Sequence, residues 1–440
     1  MKLMEKQRDA KLRYCVIGLF ILALVPRICC VILRPPTAEG VLTRLNDSTD
    51  YDHLAQKTLQ GEFTAPSGEP TAFRGPTYPA FLALIYLVFG KQNLSAVAMI
   101  QAIIGAFHCL LLKRLTEKIT GSRSASWIAG LIAAIYPAFI LQASQILTEV
   151  SGRFLWILVL LILLESSHPL KKKGLLFGGI LFGMAVLNKS VLLITLPILA
   201  LWLLRTFRVI PRERIKSVCV YFLLPVIVVV GTWTIRNFMV SGKLVAVSTN
   251  FPITFAHGVT RYNYYAMKWY GAEGLLTVPD NFQELTQMRF YKNAREEIEI
   301  GEYYANRAKG YIGENPGFFL RLTIRKLLHF WGPFISNAPA QRIIALLSMA
   351  PVLLLGWFGI VLSLKEKGAL RDYALLVVAS SLSICIPYIL SQPDIRYRVG
   401  LIDPLWIGYS GFALVFLLRK VRIPLPGESS DPSPEESHDG

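Results

Sequence analysis

Residues 44–81 read R-L-N-D-S-T-D-Y-D-H-L-A-Q-K-T-L-Q-G-E-F-T-A-P-S-G-E-P-T-A-F-R-G-P-T-Y-P-A-F, directly after the first apolar run of the chain. The stretch gathers Asp47, Asp50 and Asp52, the rings of Tyr51 and Tyr78, and Arg74 beside a hydrophobic segment. Asp47, Tyr51 and Ala55 recur at i, i+4 and i+8, so a short helix puts them on one face. Arg74-Gly75-Pro76-Thr77-Tyr78-Pro79 then reads as a turn leading into an apolar run.

Of the 440 residues, 53% are hydrophobic and only 17% charged. A soluble protein carries nearer a quarter charged residues, and runs of about 18–22 apolar residues recur here, so the chain is a multi-span helical membrane protein. The formal charge is +17. In a soluble protein that would point to nucleic acid. Here most basic residues flank apolar runs, so the positive-inside rule accounts for them and no nucleic-acid partner is expected. Cys15, Cys29, Cys30, Cys109, Cys219 and Cys385 all lie in apolar segments without ligand spacing. They read as small hydrophobes, neither disulfides nor a zinc site.

Residues 1–13 are basic, and 14–33 form an uncleaved first span with a cytoplasmic N-terminus. Arg27 inside it reads as a snorkelling side chain near the outer interface. Residues 79–90 are too short to span and are expected as a juxtamembrane helix. Spans follow at 94–112, 127–147, 150–164, 175–187, 191–204 and 218–240. Residues 241–316 form one long polar stretch, with a β-like segment at 244–249, an aromatic patch (Tyr262, Tyr264, Tyr265, Trp269, Tyr270) and a helical run. Residues 318–331 are amphipathic, with Arg321, Arg325 and Lys326 on one side and apolar side chains on the other, as in an interfacial helix. Further spans cover 343–364, 373–390 and 401–418. The tail after 423 is rich in Pro, Ser and acids and reads as disordered.

Basic clusters such as Lys113, Arg114, Lys118 and Arg123, or Lys171-Lys172-Lys173, set the cytoplasmic side. The charges at span edges outside these clusters then share the opposite face: Asp47, Arg74, Glu149, Lys189, Arg236, Arg396 and Arg398. Charges near hydrocarbon are costly and tend to mark function. Two acids and several bases on one face suit a substrate that is both anionic and in need of proton removal. Each residue also has a plainer explanation. Asp47-Ser48-Thr49-Asp50 is a good helix cap. Glu149 suits a helix N-terminus. Lys189, Arg396 and Arg398 could sit at lipid headgroups. Asp50 and Asp52 read as a solvated face or caps. His53 and His257 are too isolated to argue for a metal.

Asp47 four residues before Tyr51, followed by Arg74-Gly75-Pro76-Thr77-Tyr78-Pro79, resembles the first extracytoplasmic loop of the GT-C polyprenyl-phosphate-sugar-dependent glycosyltransferases, the protein mannosyltransferase and aminoarabinose transferase group. Further stretches resemble that family in the same order. They are Glu149 at its second acidic position, Asn188-Lys189-Ser190 at a basic corner, Trp233-Thr234-Ile235-Arg236-Asn237 before the large loop, and Arg396-Tyr397-Arg398 near the last helices. The family's Gly-Asn-Asn segment is not kept; His257-Gly258 stands nearby.

The resemblance implies an all-α polytopic GT-C-like bundle of about ten spans, with juxtamembrane helices in the first outer loop and a small extracytoplasmic α/β cap. It divides the chain into a module at 1–240 holding a catalytic outer loop (35–92), a cap at 241–316, a helical part at 317–422 and a cytoplasmic tail at 423–440. It implies transfer of a sugar from a polyprenyl-phosphate donor, with inversion, to a lipid, glycan or protein acceptor. Both termini would be cytoplasmic and the active site extracytoplasmic, in a plasma or inner membrane. Asp47 and Glu149 are then the candidate catalytic acids, and Arg74, Lys189, Arg236, Arg396 and Arg398 the candidate phosphate ligands. Tyr51, Tyr78, Tyr397 and His257 are candidate substrate contacts. No cofactor is required by the sequence, and nothing in it calls for the divalent metal some relatives use. A transporter or lipid-carrier flippase is the competing class. It predicts related halves and midplane charges, and neither is visible.

Overall fold

The computed structural model describes residues 2–37, 47–167, 170–206, 211–259, 292–333 and 339–421. The expectations for Arg44, Leu45 and Asn46, for the aromatic patch at 262–270 and for the tail after 423 lie outside the described residues.

In lipid every backbone N–H and C=O must be satisfied within the protein, so long apolar runs become helices. Among the described residues, six helices are long and apolar enough to cross a bilayer: residues 11–33 of α1 (Lys2–Leu33), α2 (Leu94–Thr120), α3 (Glu149–Ser167), Arg212–Ser241, Ile343–Lys365 and α4 (Ala369–Leu390). Two bent pairs, Arg123–Ile135 with Pro137–Ser144 and Ile395–Leu401 with Asp403–Lys420, pass as broken spans. Lys172–Asn188, at 17 residues, and the short apolar Ser190–Thr206 complete the set. Each run read from the sequence is helical, but among the described residues six of the ten are spans by length and composition, or eight if each bent pair is one span. The chain is thus a multi-pass membrane protein.

Helices close on one another where glycine removes the side chain. A Cβ on Gly356 would meet Trp406 Cδ1 at 2.5 Å, and one on Gly359 would meet the Tyr409 carbonyl oxygen at 2.2 Å. Gly179 and Gly183, one turn apart, do the same for Phe222 and Val229.

Arg27 departs from the sequence expectation. It does not snorkel; it is fully buried. Nη1 donates to the Ala134 carbonyl at 3.0 Å and Nη2 to that of Ala133 at 3.1 Å. Pro137 breaks the span there by 50°. Having no N–H, Pro137 leaves the Ala133 carbonyl without its helical donor, and Arg27 supplies one from a neighbouring helix.

The short helix of the organising stretch, α5 (Asp47–Thr58), carries Tyr51 and Ala55 into a core with Tyr78, Leu82 and Tyr86. α6 (Thr77–Phe89) is 13 residues long, too short to span. The polar stretch contributes α7 (Asn250–Val259) and α8 (Ala294–Glu314), packed through Ile253, Ala256, Tyr304 and Ala308. The β-like segment expected at 244–249 is not a strand. No strand occurs among the described residues, only an isolated bridge between Thr64 and Pro70. Side chains of Trp233-Thr234-Ile235-Arg236-Asn237 take its carbonyls instead. Trp233 Nε1 donates to Val247 at 2.9 Å, Thr234 Oγ1 to Ala246 at 2.9 Å and Asn237 Nδ2 to Val245 at 3.1 Å. The expected interfacial helix is α9 (Pro316–Trp331). Arg321 is exposed on it, but Lys326 points inward, with Leu322 and Phe330.

Candidate active site

Helix ends bring the site together. The N-termini of α5, α3 and Ile395–Leu401, the corner after Asn188, and the turn before α6 meet at one end of the bundle. The lysine and arginine clusters at the ends of α2 and Ile343–Lys365 lie at the other.

The polar side chains form a continuous chain of contacts. Arg74 Nη2 lies 2.6 Å from both Asp50 Oδ2 and Asp47 Oδ1. Asp47 Oδ2 accepts from Arg396 Nη2, also at 2.6 Å. The same nitrogen donates to the Tyr397 hydroxyl at 2.9 Å. Lys189 Nζ lies 5.3 Å from the centre of the Tyr397 ring and 3.0 Å from Glu149 Oε1. Arg74 also lies over the Tyr51 ring at 5.2 Å.

Local rules explain each placement. Asp394 caps Ile395–Leu401 by accepting from the Arg396 N–H at 2.9 Å, and its other oxygen lies 3.2 Å from Arg396 Nε. The Asn188-Lys189-Ser190 corner is latched to the start of α3: Asn188 Nδ2 donates to the Thr148 carbonyl at 3.3 Å, and Ser151 Oγ to Asn188 Oδ1 at 3.2 Å. Gly152 keeps the path of Lys189 open, since a Cβ there would lie 3.2 Å from Lys189 Cδ. Gly75 lies against the Leu187 carbonyl, where a Cβ would clash, so the Arg74 turn and the Lys189 corner are pressed together.

Burial disfavours the Asp47 carboxylate, yet the Arg74 and Arg396 guanidiniums outweigh it and hold the carboxyl well below the usual range. Burial likewise raises the Tyr51 phenol above its ordinary value. At rest, therefore, both cations beside Asp47 are held by carboxylates, and Lys189 is held by Glu149.

The arrangement brings together Asp47, Arg74, Tyr51, Arg396, Tyr397, Lys189 and Glu149. It does not include the other sequence candidates in the same way. Arg398, expected at a phosphate, is fully buried and used in packing: Nε bonds Asp403 at 2.8 Å, and Nη1 bonds the carbonyls of Phe330 and Gly332 at 2.6 and 2.7 Å. A seven-residue helix turns it away from its neighbour Arg396. Arg236 instead ties down the loop carrying Arg74, donating to the carbonyls of Thr71 at 2.5 Å and Phe63 at 2.9 Å. Tyr78 is wholly buried, and its hydroxyl donates to Gln101 Oε1 at 3.0 Å, so it backs Tyr51 edge-on rather than facing the ion pairs. His257 is half-buried on α7, where the next residue, Gly258, packs on the Ser391 backbone two residues before the Pro393–Asp394 step.

Two aspartates depart from the solvated reading. Asp50 joins the Arg74 cluster. Asp52 is buried, accepting from Tyr86 at 2.7 Å, Gln56 at 2.8 Å and Gln92 at 2.7 Å. Sequence reasoning also missed Glu297 on α8. It accepts from the Thr71 hydroxyl, the Ala72 N–H at 3.1 Å and the Thr249 hydroxyl at 2.8 Å. A pairing across more than 200 residues leaves no local signal. Among the described residues, no three His, Cys, Asp or Glu side chains converge as a metal site, and both Asp47 oxygens already face guanidiniums. The donor set does not suit a metal, and no step is assigned to one.

The family model described as dolichyl-phosphate-mannose-protein mannosyltransferase matches residues 73–233. An "Uncharacterized protein" of Aquifex aeolicus is 27% identical over 199 residues, which is 44% of this chain and 39% of that one. The apo oligosaccharyltransferase of Archaeoglobus fulgidus is similar in structure, with a TM-score of 0.56 at 18% identity, over 93% of this chain and 51% of that one. The structure of the archaeal oligosaccharyltransferase AglB from the same organism, in complex with an inhibitory peptide and a dolichol-phosphate, gives a TM-score of 0.55 at 16% identity, over 93% and 51%. The chain spans about half the length of these structures and less of the sequence relative. It has the GT-C fold, and its residues 73–233 carry the sequence pattern of the dolichyl-phosphate-mannose-protein mannosyltransferase family.

Proposed function

We propose that this protein is an integral-membrane glycosyltransferase that takes a sugar from a polyprenyl-phosphate carrier and transfers it, with inversion, to a hydroxyl acceptor on the extracytoplasmic side. One observation carries the reading: Arg74, Lys189 and Arg396 come from three distant parts of the chain and meet at one end of the bundle, each held by a carboxylate. Such a set is poised to exchange carboxylates for a phosphate. Two of the three cations lie inside residues 73–233. The dolichol-phosphate in complex with AglB supports a donor of this class.

The chemistry follows from charge. In transfer, the bond between the sugar's anomeric carbon and the phosphate oxygen breaks, and its electron pair stays on the phosphate. Arg74, Arg396 and Lys189 stabilise that growing charge. The acceptor oxygen bonds to the anomeric carbon and gives up its proton. Asp47 takes the proton once the guanidiniums have turned to the phosphate and its basicity is restored. Tyr51 and Tyr397 line the space between the cations. The basic clusters at the far helix ends support a cytoplasmic assignment for that end, and with it cytoplasmic termini and an extracytoplasmic site. On this reading residues 1–240 hold the reacting centre, 241–316 cover it and 317–422 close the bundle.

The test uses the purified protein in nanodiscs with an undecaprenyl-phosphate-linked sugar and a mixture of lipid, glycan and peptide acceptors. Release of undecaprenyl phosphate with glycosylated acceptor supports the reading. Translocation of the carrier with its sugar intact would replace it with the flippase reading.

A further inference from the structure

Glu149 and Arg153 lie four residues apart on α3, so they share one side of it with their Cβ atoms roughly 5–6 Å apart. Each has an open position facing the protein interior. Glu149 Oε1 is paired with Lys189, while the buried Oε2 has no hydrogen-bond partner. Arg153 is fully buried. Its Nη1 donates to Gln142 Oε1 at 2.5 Å and its plane lies 4.0 Å over Phe139, while Nε and Nη2 have no partner. A carboxylate short of one donor thus stands one turn from a guanidinium short of two acceptors.

This matters when the donor arrives. Asp47 and Asp50 keep 21% and 28% of their side-chain surface exposed, so water can receive them when Arg74 and Arg396 turn to a phosphate. Glu149 is only 3% exposed. A buried carboxylate deprived of its cation is strongly unfavourable and takes up a proton. The other titratable groups that sense Glu149 are Tyr51, Tyr78, Tyr388 and Arg396. The tyrosines carry no positive charge, and Arg396 is itself a phosphate ligand. On the side of Ile395–Leu401, Gly400 faces Glu149 with no side chain to offer; a Cβ there would lie 3.7 Å from Glu149 Cγ.

We propose that Arg153 is a positioning residue that receives Glu149 when the donor phosphate draws Lys189 away. The proposal rests on the glycosyltransferase reading, because it needs Lys189 to bind phosphate. Passing Glu149 to Arg153 keeps the carboxylate ionised and stops it from following Lys189 onto the phosphate. It also makes release of Lys189 easier, so Arg153 acts on donor affinity more than on the chemical step.

Difference infrared spectroscopy in nanodiscs, with undecaprenyl phosphate as the probe, tests this. In the wild-type protein Glu149 stays ionised on binding. In Arg153→Met a protonated-carboxyl band appears on binding, is absent in the Glu149→Gln, Arg153→Met double variant, and disappears again in Arg153→Lys. Donor KM rises about tenfold or more in Arg153→Met while kcat changes less. Lys189→Met, which leaves Arg153 intact, keeps Glu149 ionised at rest and serves if Arg153→Met does not fold. Carrier binding to Arg153→Met without the band overturns the proposal, as does a protonated Glu149 in Lys189→Met. Failure of the wild-type protein to bind undecaprenyl phosphate overturns both this proposal and the functional reading beneath it.

Discussion

Arg396 and Asp47 are 349 positions apart in the chain, and Arg396 Nη2 lies 2.6 Å from Asp47 Oδ2. The other carboxylate oxygen meets Arg74 at the same distance. A carboxylate clamped between two guanidiniums is a weak base, and two guanidiniums closed on a carboxylate are not yet phosphate ligands. On the proposed function, both become active only when an anion enters and separates them. The ion pairs are therefore a resting state of the site.

Asp47→Asn should reduce transfer by about 10²–10⁴-fold, the usual contribution of a general base. Binding of undecaprenyl phosphate should persist or tighten, because the guanidiniums no longer have a carboxylate to leave. Turnover with a polyprenyl-phosphate sugar, beside carrier titration, checks both parts. Near wild-type turnover would remove Asp47 as the base. The sign of the pH effect also follows. With its folded value depressed, Asp47 contributes stability that is fully present above the usual carboxylate range and is lost progressively as pH falls from there through the lowered folded value. The resting protein should therefore begin to lose the Asp47 contribution once pH falls below the range where ordinary aspartates protonate, and Asp47→Asn should remove that loss.

Arg396→Ala and Arg398→Ala, two residues apart, should fail in different ways. Arg396 sits partly exposed at the rim, so its loss should raise donor KM at least tenfold with little change in folded yield. Arg398 and Asp403 are both fully buried. Removing one partner of such a pair costs about 3–5 kcal/mol, so Arg398→Ala should lose thermal stability and yield. Thermal unfolding in detergent, measured beside KM, separates them. Equal losses of stability would place Arg396 in the packing too.

Glu297→Ala should loosen the loop that carries Arg74. It leaves the Ala72 N–H and the hydroxyls of Thr71 and Thr249 without their acceptor, a cost of about 1–3 kcal/mol. Faster protease cleavage between residues 63 and 74 and a higher donor KM are expected. Burial, partly offset by these hydrogen bonds, raises the Glu297 carboxyl above its ordinary value. Its contribution is then fully present below the unfolded value and declines as pH rises through the folded one. Glu297→Gln should remove that decline, and unchanged melting curves against pH would refute the assignment.

The sequence makes legible whatever is written in local pattern. Span positions follow from apolar runs. The faces of α5 follow from the spacing of Asp47, Tyr51 and Ala55. The meeting of Arg74, Lys189 and Arg396 at one end follows from alternating span direction. Partner choice is not written locally. Arg396 and Arg398 are indistinguishable in a string of letters, yet the turn of one short helix sends one to the rim and the other to Asp403. Arg27 resembles a snorkelling residue until the carbonyl freed by Pro137, 110 positions on, is seen beside it. Asp52 looks solvated until Tyr86 and Gln92 close over it.

Lys326 offers a further check on how α9 is seated. It looks from sequence like a polar-face lysine, but its ammonium is fully buried and donates to the Leu390 carbonyl at 3.3 Å. Burial brings it down from 10.5 to about 7. Folded, the side chain is neutral above that pH; unfolded, it keeps its proton up to its ordinary value. Between the two the unfolded state binds more protons, so stability rises with pH, by at most about 1.4 kcal/mol per pH unit. Burial holds His329, one turn on, below its ordinary value, so it does not mimic the rise. Comparing thermal unfolding of the wild-type protein with Lys326→Met from pH 6 to 10 isolates it. The methionine variant should be the more stable near pH 6, and the difference should shrink as the wild-type lysine sheds its charge cost. Parallel curves would mean that the ammonium reaches water, and α9 would then have to be seated with that face outward.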